Sequence, residues 1–81
     1  MRVQVRVFAA LREVTGVHQM DVELPLGITV EGLWNRLISD DERLAAFSDS
    51  IQFAVNHDFV TKEALLNPDD EVAFLPPVSG G

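Results

Sequence analysis

The sequence predicts an α+β fold: one mixed sheet of about five strands, with a single main helix packed across one face. Three observations predict it: period-two alternation near both ends, a 3.6-residue apolar stripe between them, and strong turn signals separating the remaining apolar runs. At 81 residues the chain can build one hydrophobic core but not two. A unit this small cannot hold both a packed core and a deep cofactor pocket, which places any chemistry at an edge, a tail or an interface shared with another protein.

Val3, Val5 and Val7 alternate with Arg2, Gln4 and Arg6, so residues 2 to 8 read as a strand with one buried face and Phe8 on its polar side. Ala9 to Val14 is rich in helix formers and stops at Gly16, giving about a turn of helix. Alternation then resumes from Val17 to Leu24, and two strands around a short connector make a hairpin. After Pro25-Leu26-Gly27, Thr29 is placed to cap a helix in which Val30, Leu33, Trp34, Leu37 and Ile38 form one apolar stripe. Trp34 belongs to that stripe and reads as core rather than as a ligand-stacking ring.

Asp40 to Phe47 reads as a second, shorter helix whose first turn, Asp40-Asp41-Glu42, carries the negative charge favoured at a helix N-terminus. With no histidine or further acid at ligand spacing, those acids are a solvated helix start and not a metal site. Ile51 to Val55 alternates as a strand, Asn56-His57-Asp58 turns, and Phe59-Val60 begins the return. His57 has no recognisable nucleophile beside it and reads as a surface histidine rather than a general base. A second turn, Asn67-Pro68-Asp69-Asp70, leads into a last strand with Val72 and Phe74 on one face and Ala73 and Leu75 on the other. Pro76 and Pro77 end it, because proline cannot donate to a ladder. A hairpin, a crossing helix and later strands that return to the same sheet describe the β-grasp arrangement, with residues 1–77 as the domain and 78–81 as a flexible tail.

Composition removes several classes of function. Thirteen acidic residues against six basic ones give a formal net charge of -7, so nucleic acid is not an expected partner, whereas a basic protein surface would be attracted. Cysteine is absent, which removes disulfides, thiolate metal sites and cysteine nucleophiles. No apolar run approaches the roughly 18 residues of a membrane span, and M-R-V-Q-V-R-V interleaves charge where a signal peptide would be apolar. No membrane association is expected, and the expected compartment is the cytoplasm.

Past the prolines come Val78, Ser79, Gly80 and Gly81, four residues that can reach roughly 13 Å from the domain. Two glycines without β-carbons can thread a constriction and adopt whatever backbone angles an active site demands. Such a pair ends about one chain in 200 by chance, so alone it is a modest signal and a frayed terminus is its plain reading.

The pair does not stand alone. E-V-A-F-L-P-P-V-S-G-G at residues 71 to 81, V-F-A-A-L-R-E near the start and A-V-N-H-D-F-V in the middle resemble the small subunit of molybdopterin synthase, over nearly the whole chain. The resemblance implies a ubiquitin-like β-grasp sulfur carrier that binds no cofactor or metal of its own. A ubiquitin-activating-like adenylyltransferase would use ATP to adenylate the Gly81 carboxylate, which then becomes a thiocarboxylate. The loaded tail would enter the synthase large subunit, in a heterotetramer of two small and two large subunits, and give its sulfur to cyclic pyranopterin monophosphate for the molybdenum cofactor. Carried across by residue, Gly80 and Gly81 match the functional terminus, Pro76 and Pro77 the segment that stiffens its exit, and Phe8, Phe59 and Leu75 the apolar partner-binding positions. Phe8 and Leu75 are also out of register with their strands' buried faces, and Phe59 follows a polar turn. Three other readings stay open: a thiamine-pathway sulfur carrier, a ubiquitin-like modifier of lysines, and a non-catalytic acidic interaction module with an inert tail.

Overall fold

A computed structural model describes residues 1–77 of the chain. The elements run β1 Arg2–Val7, α1 Ala9–Thr15, β2 Gln19–Glu23, α2 Val30–Asp40, a 3₁₀ helix Glu42–Phe47, β3 Gln52–Val55, β4 Asp58–Val60 and β5 Glu71–Leu75. The strands form one sheet in the order β2-β1-β5-β3-β4. β1 and β5 run parallel at its centre, and the other three pairings are antiparallel. This is the expected α+β, β-grasp arrangement.

Register explains the core. Val5 pairs with Met20 on one side and Val72 on the other, Val7 with Phe74, and Phe74 in turn with Phe53, so the inward positions of four strands meet in adjoining rows. Over this face lies the stripe of α2, in which Val30, Leu33, Trp34 and Leu37 are buried. Thr29 caps the helix by accepting the Gly32 N–H at 3.1 Å. Glycine at 32 has a steric reason: a β-carbon there would stand 2.5 Å from Ile28 Cγ1. Trp34 is in the core, its ring centroid 5.1 Å from that of Phe74, and its Nε1 donates to Ser48 Oγ at 3.0 Å.

Two local readings shift, at the end of the first strand and in the acidic triplet, while the helix stop at Gly16 is as expected. The first strand stops at Val7 and leaves Phe8 extended, at the N-cap of α1. That helix closes at Gly16, whose left-handed backbone (φ 78°) lets its N–H reach the Arg12 carbonyl. The acidic triplet is divided, since Asp40 ends α2 and Asp41 starts the 3₁₀ helix. Asp41 is extended and its carboxylate accepts the Arg43 backbone N–H, which stops one helix and caps the next. The same carboxylate accepts Arg43 Nε and Nη2, and these hydrogen bonds hold it below the usual carboxylate range.

Two turns are clasped together beside the sheet. Asp70, buried, accepts the Asn67 N–H at 2.7 Å and Asn56 Nδ2 at 3.0 Å. Asn56 also exchanges hydrogen bonds with the Glu71 backbone, donating its N–H to the carbonyl and accepting the Glu71 N–H on Oδ1. The β3–β4 turn has Asn56 and His57 both at positive φ, 51° and 75°, as a two-residue primed hairpin turn requires. Histidine is costly there, whereas glycine is not. His57→Gly is therefore expected to stabilise the domain by about 0.5 kcal/mol net of glycine's chain entropy, a rise of roughly 2–4 °C in Tm by calorimetry.

Candidate functional site

The outward face of the sheet is divided. Towards β2 it carries Arg2, Gln4, Asp21 and Glu23, including the exposed Arg2–Glu23 ion pair at 2.9 Å. Towards β4 it carries an apolar group, Ala54, Phe59, Ala73 and Leu75, with polar residues around it. Cross-strand pairing sets Arg6 against Ala73, Ala73 against Ala54 and Ala54 against Phe59, which makes one row across four strands. Leu75 lies two residues beyond Ala73 on the same face. Phe8, Phe59 and Leu75 thus come together around one depression of about 210 Å³, with Ala54 and Ala73 among its lining residues. Phe59 is 71% exposed and Phe8 37%, large values for phenylalanine in so small a domain.

The polar side of the depression is Arg6, Glu71 and His57. Arg6 Nη1 donates to Glu71 Oε1 at 3.2 Å, and the guanidinium carbon stands 5.7 Å from the centroid of the Phe8 ring. Its Nε is buried and finds no acceptor among the described residues. His57 Nε2 is 3.9 Å from Glu71 Oε2, a solvent-exposed contact. Nothing here pairs a nucleophile with a base, and no cluster of three or more potential metal ligands occurs among the described residues. An apolar dish with one charged wall is suited to holding a protein surface, not to bond-making chemistry.

Leu75 belongs to this dish and is followed directly by Pro76, half-buried, and Pro77, exposed. Gly80 and Gly81 lie outside the described residues. Sequence reasoning missed Arg6, Ala54 and Ala73 as parts of the site. For Ala73 a signal existed in its alternation with Leu75, but Ala54 joins the row only through the β3–β5 pairing. Phe59→Asp is expected to weaken partner binding at least about tenfold while leaving the thermal midpoint of the isolated chain within a few degrees, because the side chain is solvent-exposed. Calorimetric titration paired with thermal unfolding checks both halves.

Fold and site together define a ubiquitin-like β-grasp protein with an exposed apolar depression on the outer face of its sheet. The family model for the ThiS family matches residues 5–81, and the chain belongs to that family. It is 39% identical to the molybdopterin synthase sulfur carrier subunit of Chlamydomonas reinhardtii, over 100% of both chains. The resemblance read from the tail and opening motifs therefore extends over the whole sequence. Among solved structures it is similar to the small archaeal modifier protein 1 of Methanosarcina acetivorans, with 28% identity over 99% of this chain and 96% of that one, and a TM-score of 0.82. A chain in the BexX/CysO complex of Amycolatopsis orientalis matches with 28% identity over 98% and 99% and a TM-score of 0.73.

Proposed function

We propose that this chain is the sulfur-carrier subunit of a cytoplasmic molybdopterin synthase and that the Gly81 carboxylate is its reactive group. The observation that carries the reading is the end-to-end likeness to such a subunit, through to the two glycines. Geometry supports it: β5 lies at the centre of the sheet, and its last residue, Leu75, lines the exposed apolar depression. A partner seated on the depression therefore lies next to the point at which the chain leaves the sheet.

The chemistry is acyl activation. A carboxylate is a poor electrophile, so an adenylyltransferase first joins Gly81 to AMP, releasing pyrophosphate from ATP. Sulfide-level sulfur, as hydrosulfide, then attacks the acyl carbon; the C–S bond forms as the acyl–phosphate bond breaks, AMP leaves, and Gly81 carries a thiocarboxylate. In the synthase large subunit that sulfur passes to cyclic pyranopterin monophosphate, and water returns the acyl group to a carboxylate. With no cysteine of its own, the chain carries the sulfur on its backbone end.

Likeness to an archaeal modifier protein favours one second reading, in which Gly81 is joined to lysine amines of other proteins. Reconstitution separates the two. The chain is incubated with activating enzyme, ATP, a sulfur donor, large subunit and the pterin precursor, and dithiolene formation is measured beside isopeptide formation. Dithiolene product supports the carrier. Isopeptide conjugates without dithiolene replace it by the modifier, and neither product overturns both.

A further inference from the structure

We propose that the apolar depression is a socket for one projecting apolar side chain of a basic-surfaced partner protein, and that Ala54 and Ala73 set this specificity. The inference rests on the carrier reading above and names what the docking surface accepts.

The row that crosses the outer face is large at its ends and small in its middle: Arg6, Ala73, Ala54, Phe59. Neighbouring strands stand about 4.8 Å apart, so two adjacent methyl groups leave a gap roughly two strands wide between longer side chains. Phe8 and Leu75 close it on the side where β5 ends. Alanine is a poor strand former, and here it occupies facing positions on β5 and β3 where a β-branched residue would favour the sheet. What the two alanines provide is depth.

Size selects the occupant. At about 210 Å³ the depression is smaller than the roughly 300–1,000 Å³ of small-molecule sites, yet it is ample for one leucine or phenylalanine side chain. Charge selects the surface around that side chain. Within the depression Arg6 is already paired with Glu71, and the chain as a whole carries -7, so the complementary partner is basic.

A socket and a flat apolar patch respond oppositely to filling. Ala73→Leu adds apolar surface, which strengthens a flat contact but removes the space that a knob needs. Using the whole chain and the synthase large subunit, the socket predicts that Ala73→Leu raises Kd at least about tenfold and Ala73→Val a few-fold, with Tm of the free chain held within about 3 °C. A folded Ala73→Leu chain that binds as well as or better than the unaltered one overturns the socket. Should that variant not fold, unchanged binding by Ala73→Val overturns it instead. Association that does not slow between roughly 50 and 500 mM salt overturns the basic partner. Absence of binding by the unaltered chain is a different result, since it removes the large subunit as partner and with it the carrier reading.

Discussion

Deleting Gly81 is expected to lower dithiolene formation by the reconstituted synthase at least 100-fold and to leave Tm unchanged. The deletion moves the terminal carboxylate back by about 3.5 Å, one residue of extended chain. Reactions that depend on a positioned group lose on the order of 100-fold for a misplacement of about 1 Å, so a full residue exceeds what the remaining tail can recover. Stability is separate, because among the described residues every member of the buried hydrophobic core lies between Val3 and Phe74. A rate assay and a thermal melt on the same preparation test both parts. Equal rates for the two chains would show that the terminus is inert.

The largest expected effect on stability belongs to Phe74→Ala. Phe74 is 0% exposed on β5, the central strand that pairs with both β1 and β3, and its ring meets Trp34 at 5.1 Å and Phe53 edge-on at 5.5 Å. Truncating a buried phenylalanine removes about 3–5 kcal/mol, and a domain of this length holds only about 4–12 kcal/mol in total. The variant is expected to melt at least about 15 °C lower, or not to fold at 37 °C. Its neighbour makes the contrast. Leu75 points to the other face and lines the apolar depression, so under the proposed docking role Leu75→Asp should weaken binding and spare the fold. Two adjacent residues of one strand are thus expected to separate stability from binding, because successive side chains alternate between the faces.

This division was legible in the sequence in so far as it depends on local period. The stripe of α2, the valines of β1 and the alternation of β5 each declare a buried face within a few residues, and the structure buries Val3, Val5, Val7, Leu33, Val72 and Phe74. Phe8, Phe59 and Leu75 stand out first by the family resemblance and second because Phe8 and Leu75 lie out of register and Phe59 follows a polar turn, and the structure sets all three around one depression. What depends on distant pairing was not legible. Asn56 and Asp70 each read as turn residues, yet the structure joins them through a buried carboxylate. The same limit hid Ala54, since only the return of β3 beside β5 brings it against Ala73. The acidic triplet misled for a local reason. An aspartate at a boundary serves as well to begin a helix as to follow one, and Asp41 does both.

Acyl transfer to sulfur at the backbone end is the step from which the rest of the proposed activity follows, and intact-mass spectrometry observes it directly. After incubation with the activating enzyme, ATP and a sulfur donor, the account predicts a gain of about 16 Da, the exchange of one oxygen for sulfur, located on Gly81 by fragmentation. An unchanged mass under conditions in which the enzyme consumes ATP, or a gain located on Lys62 instead, would contradict it.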